Sequence, residues 1–552
     1  MRALAELEVL IVDCQTTGAS PAFGHVLELG WGVARGDRAE PAGAEAHWIA
    51  LPEGHRVPRQ VQKITGYEPE LAVNALAPTE AWQQMRAATR FDPAAPTAIH
   101  YARFELAFLR DWATRFEPGA AFPIDAVCVH AIASRLYPEL PRLSLRALAG
   151  YLGHGVELAR RSLGHVEGTA FVWHKLVSEL NARGITSWEA LQTWLGERAP
   201  PKPRTTKLKY PLPSERYKQL PDVPGVYRFL RSNGDVLYVG KATSLKKRVT
   251  SHFSVRAAKL LAPEMLTQVA DIQTTSVASA LEAALLEHDL IRALHPPYNV
   301  QLTTSDSRIW YASHDFERAA EAPDDHHRLG PLASEYALRP LGALIALSAG
   351  AEATPRLRGQ AVGVSELWLP DEAVFAAGWQ ELLRRHPNDL LGDATSARPR
   401  ALRLAKALLV APAEAEAVKP EEKPEGWDPE RVARHVEGAA ATAYQAYRRA
   451  RWLRLIHDCD IHYREPEANR TRLLRLRHGE LSSAEDTTTV QRPLEPIRDG
   501  QPAVFDRTKY DRLRILTTEL KRIVRDGGFV AVHWGPKRSI PSQLLPGILR
   551  VV

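Results

Sequence analysis

Residues 224–299 contain a set of polar side chains at short spacings: tyrosines, cations, one carboxylate and one amide. These side chains are Tyr227, Tyr238, Lys241, Arg248, His252, Glu287 and Asn299. They suit the hydrolysis of a phosphodiester, because a carboxylate can hold a divalent metal ion, cations stabilise the developing negative charge, and a hydroxyl or imidazole can move a proton. The set therefore predicts a nuclease site.

A β-hairpin is predicted to bring the two tyrosines together. Strand-like runs at 226–229 and 236–239 flank Asn233-Gly234, a strong signal for a hairpin turn. Pairing about this turn sets Phe229 opposite Tyr238, with Tyr227 diagonally across on the same face, within roughly 8 Å of Tyr238. Two phenol hydroxyls are therefore expected to share one surface.

Two helices are predicted to supply the remaining groups. Ser244 can cap the first helix, on which Arg248 and His252 lie four residues apart and form a polar row. A second helix near 278–294 carries Glu287 on its apolar face. A carboxylate on such a face needs a partner or a metal ion, and for an isolated Glu a salt bridge to Arg248 or Lys241 is the alternative interpretation.

Four stretches of this region closely resemble the N-terminal GIY-YIG nuclease domain of UvrC and its shorter relative Cho. They are PGVY at 224–227, LYVGKA at 237–242, LKKR at 245–248 and ALEAALLEHDLIRALHPPYNVQL at 280–302. The resemblance runs from about 216 to 302, and it implies a small α/β domain that hydrolyses a phosphodiester with one metal ion.

The same resemblance implies a role for each matching residue. Tyr227 is implied to be the general base, directly or through water, and Tyr238 is the tyrosine of the second motif. Lys241 and Arg248 are implied to stabilise the phosphate.

Three more positions complete the implied site. Glu287 is implied to bind one Mg²⁺ or Mn²⁺ ion, and Asn299 to close the pocket. His252 stands where UvrC usually has tyrosine, and imidazole can still donate or accept a proton, so we expect activity with an altered pH profile.

The first third of the chain holds a second set of motifs. Its stretches are DCQTTG at 13–18, HYARFELAFL at 100–109 and RRSLGHVEGTA at 160–170. In order and register they resemble the three motifs of DEDDh 3′–5′ exonucleases, such as the proofreading epsilon subunit of bacterial replicases. The resemblance covers about 7–180.

The side chains of these motifs depart from the exonuclease pattern. Asp13 matches the pattern. In the first motif Gln15 stands in place of a Glu, and in the second motif Glu105 stands in place of an Asp. In the third motif Arg160 stands in place of the catalytic His, and His165 stands in place of the last Asp. Two divalent ions need several anionic oxygens, so this set predicts a degenerate exonuclease domain kept for binding DNA or a partner. Weak residual activity is the alternative.

The chain of 552 residues is too long for one core, and we predict an α/β multidomain protein. An RNase H-like exonuclease domain, a small α/β GIY-YIG domain and a mostly helical α+β C-terminal region are expected in that order. The predicted boundaries are an exonuclease-like domain at 1–196, a basic Pro-rich linker at 197–213, a GIY-YIG domain at 214–312, a helical region at 313–410, an acidic Pro-rich linker at 411–430 and an α+β region at 431–552.

A late helix mixes aromatic and cationic residues. The candidates for DNA contact on it are Arg448, Arg449, Arg451, Trp452 and Arg454. Such a mixture suits phosphate contact and base stacking on single strands. An ordinary amphipathic helix with a solvated basic face is the alternative.

The composition of the chain indicates where in the cell the protein is expected to act. The net charge of +6 permits nucleic-acid binding, and three dispersed cysteines fit a reducing cytoplasm. No apolar run reaches the length that spans a bilayer, and the N-terminus has no signal-peptide layout. We expect a bacterial cytoplasmic protein associated with the nucleoid.

Together these features resemble the bacterial fusion of an epsilon-like exonuclease domain with a Cho-like nuclease. The expected function is metal-dependent, structure-selective DNA incision in repair, as in nucleotide excision repair, with DNA and repair or damage-recognition proteins as partners. Two alternatives stay open: a non-catalytic DNA-binding adaptor, and a bifunctional 3′–5′ exonuclease plus endonuclease.

Overall fold

The structure is a computed structural model of the chain. It describes residues 3–88, 94–155, 160–198, 210–253, 263–299, 308–364, 368–410, 426–466, 468–490, 493, 497 and 503–549. Most of both predicted linkers lies outside the described residues. The chain is a multidomain α/β protein, as predicted, and it divides into two compact units. The first unit is Met1–Ala283 with Ala293–Val300, and the second is Ala284–Arg292 with Gln301–Val552.

A mixed five-stranded sheet organises the exonuclease-like domain of the first unit. Its strands are β1 (Glu8–Thr16), β2 (Val26–Arg35), β3 (Ala42–Trp48), β4 (Ala95–Ile99) and β5 (Ile124–Cys128). Their order is β3-β2-β1-β4-β5, with β1, β4 and β5 parallel and the pairs β1–β2 and β2–β3 antiparallel.

Helices cover both faces of this sheet. They are α1 (Arg59–Thr65), α2 (Pro78–Ala87), α3 (Ala102–Phe116), α4 (Val129–Leu136), α5 (Leu145–Tyr151), α6 (Ser162–Ala182) and α7 (Trp188–Gly196). Two apolar clusters result, one built around α6 and the other around α2 and α3. Because β1 is central and covered on both sides, its sequence is an apolar run rather than an alternation.

An antiparallel three-stranded sheet organises the GIY-YIG domain. Its elements are α8 (Ser214–Lys218), β6 (Gly225–Leu230), β7 (Val236–Ala242), α9 (Leu245–His252), α10 (Pro263–Thr267), β8 (Asp271–Ser276) and α11 (Ala280–Leu294). The strand order is β7-β6-β8. Phe229 pairs with Tyr238 and Gly234 has a φ of 91°, so the predicted turn and register are confirmed.

The second unit contains a small sheet, a helical core and a larger sheet. The small sheet is β9 (Trp310–Ser313), β10 (Ala319–Ala320) and β11 (His327–Leu332), and the helices are α12 (Arg339–Ser348), α13 (Pro355–Val362), α14 (Glu372–Arg385), α15 (Pro387–Leu390), α16 (Ala397–Val410) and α17 (Pro429–Ile456). The larger sheet and its helices are β12 (Cys459–Arg464), β13 (Thr471–Arg477), β14 (Glu480–Thr487), α18 (Arg507–Arg525), β15 (Phe529–His533), β16 (Ser539–Ile540) and α19 (Leu545–Leu549).

Some contacts between distant segments cross the predicted domain boundaries, which stay a prediction. Helix α17, which sequence analysis assigned to the region after 430, packs in one apolar core with α12, α14 and α16. The exonuclease-like domain and most of the GIY-YIG domain share the first unit. Linker composition marks where the chain is polar, but contacts between distant segments decide which cores form.

Within the described residues, none of the helices combines the length and apolarity that crossing a membrane requires.

Candidate active site

A buried phenol–imidazole pair lies at the centre of the GIY-YIG domain. Tyr227 on β6 has no exposed surface, and its hydroxyl oxygen is 2.5 Å from Nε2 of His252 at the end of α9. Burial and the nearby Arg248 lower the pKa of His252 to about 4. The imidazole is therefore neutral near pH 7, and its protonation state does not change between about pH 5 and 8.

The second phenol has a different environment. Tyr238 on β7 is half-buried, and its ring centroid is 6.1 Å from that of Tyr227. The two rings are therefore neighbours, as the hairpin register predicted. Tyr227 is fully buried and bonded to His252, whereas Tyr238 is only partly buried. Which phenol activates water stays a prediction, and the greater exposure of Tyr238 favours that residue.

A glycine makes room for the buried pair. Gly240 lies directly opposite Tyr227 across the hairpin. A Cβ atom at this position would stand 2.4 Å from the Tyr227 hydroxyl oxygen and 2.8 Å from a ring carbon of Tyr238. The motif LYVGKA contains this glycine, but sequence reasoning did not identify its role, which is to let the phenol pass close to the strand.

The two predicted phosphate-binding cations are accessible. Lys241 lies on the edge strand β7, one residue before its end, and Arg248 lies on α9; both residues are exposed. Helix α9 starts where predicted, because the Ser244 hydroxyl accepts a hydrogen bond from the Lys247 amide at 3.2 Å. Exposed cations beside a pair of phenols can meet a phosphate backbone.

Asn299 acts on the backbone of β7. Its side-chain oxygen accepts from the Val239 amide at 2.9 Å, and its side-chain nitrogen donates to the Val239 carbonyl at 2.8 Å. Both ends of the amide are thus used, and the residue is buried. The structure gives Asn299 a positioning role on the strand that carries Tyr238.

Glu287 lies on α11, within the segment that belongs to the second unit. On the same helix, Asp289 accepts from Arg512 at 2.8 Å and Arg292 donates to Thr508 at 3.2 Å, so one face of α11 is bound to α18. At 100° per residue, Glu287 points about 200° away from Asp289. Its half-buried carboxylate is a hard oxygen donor, which fits Mg²⁺ or Mn²⁺. Its approach to the hairpin stays a prediction.

The degenerate exonuclease residues form hydrogen bonds with one another. His165 Nδ1 is 3.0 Å from an Asp13 carboxylate oxygen, and the Gln15 side-chain nitrogen is 3.2 Å from the same imidazole nitrogen. The structure therefore brings three of the five predicted positions into contact, with imidazole and amide where a metal site of this kind needs carboxylates.

The other acidic group at this place, Glu105, is buried. Burial, and after it the charge of Asp13, raise the pKa of Glu105 well above its usual value. Its Oε2 is enclosed without a hydrogen-bond partner. Arg160, at the position of the catalytic histidine, is exposed. An amide and an imidazole beside Asp13 stand in place of the anionic oxygens that two hard divalent ions prefer.

Helix α17 differs from the expected DNA-binding face. Trp452 is 1% exposed, and its indole nitrogen donates to the Thr517 hydroxyl at 3.0 Å. Arg454 donates to the Arg328 carbonyl at 2.8 Å. Trp452 therefore cannot stack on bases, and that part of the prediction is corrected: the aromatic residue packs α17 against α18.

The remaining cations of this helix vary in exposure. Arg448 and Arg449 are half-buried, whereas Arg451 is exposed and its guanidinium carbon lies 5.7 Å from the ring centroid of Tyr447. Without an exposed aromatic platform at Trp452, the pattern favours the alternative of an amphipathic helix with a basic face.

The buried His252 makes stability depend on pH. In the native state its pKa is about 4 against an ordinary value of 6.5, so the unfolded chain takes up a proton first as the pH falls. The native state thus loses stability between pH 6.5 and 4, by about 2 kcal/mol at pH 5.

We expect His252→Gln to shrink the difference in unfolding free energy between pH 7 and pH 5, measured by urea unfolding. His326→Gln, at an exposed histidine, is the control, and equal pH dependence in His252→Gln and wild type would contradict this account.

Comparison with known proteins agrees with the geometry of the hairpin. Residues 223–300 match the UvrC-like GIY-YIG domain family. UvrABC system protein C from Hahella chejuensis is 40% identical over 137 residues, which cover 23% of this chain and 22% of that protein.

A second relative matches over a longer part of the chain. A Mycobacterium tuberculosis protein described as a bifunctional exonuclease/endonuclease is 28% identical over 374 residues, 63% of this chain and 53% of that protein. This chain thus spans about a fifth to about half of the length of these two relatives.

Among solved structures, the magnesium-bound N-terminal endonuclease domain of UvrC from Thermotoga maritima is 31% identical. The match covers 16% of this chain and 93% of that domain, with a TM-score of 0.15. The chain is similar to a fusion of exonuclease and endonuclease domains, and its residues 223–300 match the UvrC-like GIY-YIG domain family.

Proposed function

We propose that the chain is a metal-dependent, structure-selective DNA endonuclease that acts in bacterial DNA repair at the nucleoid, with incision by the GIY-YIG domain. The observation that carries this proposal is the intact hairpin site within the matched family segment: a partly buried Tyr238, a buried Tyr227–His252 pair and two exposed cations.

Each residue has a distinct part in the proposed reaction. In the proposed step the phenolate form of Tyr238 takes the proton of the attacking water and becomes the neutral phenol, while Lys241 and Arg248 bind the phosphate oxygens and offset their charge. The Tyr227–His252 hydrogen bond fixes the position of α9 relative to the hairpin. A divalent cation held by Glu287 would stabilise the charge on the phosphate and the leaving oxygen.

The exonuclease-like domain is proposed to bind DNA rather than to cut it. Its mixed sheet supports an RNase H-like fold, and its motif residues line a cavity of about 890 Å³. Tyr101 and Phe104 at this cavity are exposed, and Arg103 lies between them in sequence. Aromatic faces beside a cation suit a single strand, because bases stack without sequence preference.

The proposal is tested on nicked, flapped, bubbled and lesion-bearing duplexes with Mg²⁺ or Mn²⁺. Internal cuts by the purified chain that stop when the metal is chelated support it. Retarded but uncut DNA would instead support the non-catalytic adaptor.

The name of the Mycobacterium tuberculosis relative favours a second candidate, in which both domains cut. Against it, Asp13 is bonded to His165, and burial, and after it the charge of Asp13, raise the pKa of Glu105. We therefore expect no 3′-end degradation of a 5′-labelled single strand with either metal ion. A ladder from the 3′ end that disappears in Asp13→Ala would establish the bifunctional enzyme.

A further inference from the structure

The exonuclease-like and GIY-YIG domains meet within the first unit where α5 contacts α10. A Cβ atom on Gly150 of α5 would stand 1.9 Å from the side-chain oxygen of Gln268, which follows α10. The Gln268 side chain is 1% exposed and bonded at both ends, so it cannot move aside without losing hydrogen bonds. The two surfaces therefore fit closely at this point.

Two residues of the exonuclease-like domain reach into the GIY-YIG domain. The Ser144 hydroxyl donates to Glu264 Oε2 at 2.9 Å, and an Arg146 nitrogen is 3.6 Å from Glu264 Oε1. The guanidinium carbon of Arg146 also lies 4.3 Å from the ring centroid of Tyr298. Ion pairing and a cation–π contact thus join the domains at Glu264 and Tyr298.

Tyr298 is fixed further by its hydroxyl group. The hydroxyl donates to Glu264 Oε1 at 3.0 Å and accepts from the Gln268 side-chain nitrogen at 2.7 Å. Gln268 in turn accepts from Nε of the buried Arg231 at 3.1 Å. Burial, and then the Glu264 charge, raise the pKa of Tyr298, so the hydroxyl keeps the proton that it donates.

This network ends on the strand that presents Tyr238. The Tyr298 amide donates to the Leu237 carbonyl at 3.2 Å, and the next residue, Asn299, holds the Val239 backbone at both its amide and carbonyl. Tyr238 lies between these two anchored residues. A displaced Tyr298 would therefore shift β7, and a misplacement of about 1 Å at a reacting group costs about 100-fold in rate.

We infer that the exonuclease-like domain positions the endonuclease site, with Arg146 and Glu264 as positioning residues that hold Tyr298, Asn299 and hence β7. This inference rests on the proposed function and deepens it: the degenerate domain supplies part of the framework of the active hairpin.

The test measures kcat and KM for DNA incision by the full-length chain. In Arg146→Ala and in Glu264→Gln, which keeps the side-chain shape, kcat is expected to fall by about tenfold or more while KM stays within about threefold. Joining Arg146→Glu to Glu264→Arg is expected to recover activity relative to either single charge reversal, because the ion pair is restored in the opposite sense.

Arg135→Ala is the matched control. Arg135 holds carbonyl groups near the end of α7, inside the exonuclease-like domain. Its loss is expected to leave kcat unchanged. Wild-type kcat in both Arg146→Ala and Glu264→Gln, or an equal fall in Arg135→Ala, would overturn the inference. Absence of cutting by the wild type would instead overturn the proposed function.

Discussion

Glu287→Ala is expected to lower the rate of DNA incision by a factor of about 10³ or more, equivalent to about 4 kcal/mol of transition-state stabilisation. The hairpin and α9 supply phenols, an imidazole and cations, which are not the carboxylate ligands that Mg²⁺ or Mn²⁺ prefers. The Glu287 carboxylate is therefore the predicted metal ligand of the site. DNA affinity is expected to change little, because Lys241 and Arg248 remain. Single-turnover incision and gel retardation of the same substrate measure the two effects separately.

Glu282→Ala gives a matched control, because it removes the same charge from the first turn of the same helix. This variant is expected to cut at a rate within about twofold of wild type. Equal rates for Glu287→Ala and wild type would contradict the assignment of the metal ligand.

The second large effect is expected from Gly240→Ala. The added Cβ atom would meet the Tyr227 hydroxyl oxygen at 2.4 Å, and the enclosed ring has no free space into which it can move. We expect incision to fall by about 100-fold and the free energy of unfolding to drop by about 1–3 kcal/mol, because overpacking displaces the Tyr227–His252 pair. Incision kinetics and urea unfolding measure the two quantities.

Gly196→Ala controls for the loss of a glycine, because a Cβ atom at Gly196 meets nothing within 4 Å. It is expected to leave both quantities near their wild-type values. A Gly240→Ala variant that cuts like wild type would show that the tight packing of Tyr227 against β7 is irrelevant to the reaction.

The hairpin could be predicted in detail from the sequence. Asn233-Gly234 indicates a hairpin turn, and the alternation of side chains along paired strands then sets Phe229 opposite Tyr238. The cap at Ser244 follows from equally local chemistry. These features depend on neighbours in sequence, so local rules suffice.

Other features depend on distant partners and were not predicted. Trp452 stands among arginines in sequence, which suggested an exposed aromatic face, but α18 covers it and Thr517 accepts its indole hydrogen bond. The pattern of one helix shows that it is amphipathic, and it does not show which element covers each side. The raised pKa of Glu105 likewise comes from burial, which its sequence neighbours do not reveal.

The interface between Arg146 and Glu264 is a third case. The basic, Pro-rich stretch after residue 197 predicted two separate domains, and composition contains no signal that they share a polar network. The positions 144–146 and 264 become neighbours only when both domains have folded. The stretch 280–302 that resembles the GIY-YIG domain contains Tyr298, and Tyr298 is the residue that Arg146 and Glu264 contact.

The most direct test of the central claim maps both ends of the product. A bubbled duplex, labelled at the 5′ end of one strand in one sample and at its 3′ end in another, is incubated with the full-length chain and Mn²⁺. We expect one discrete internal cut, with the two labelled fragments together accounting for the whole strand. Intact DNA in a retarded complex, or a ladder shortened stepwise from the 3′ end, would contradict endonucleolytic cutting by the GIY-YIG site.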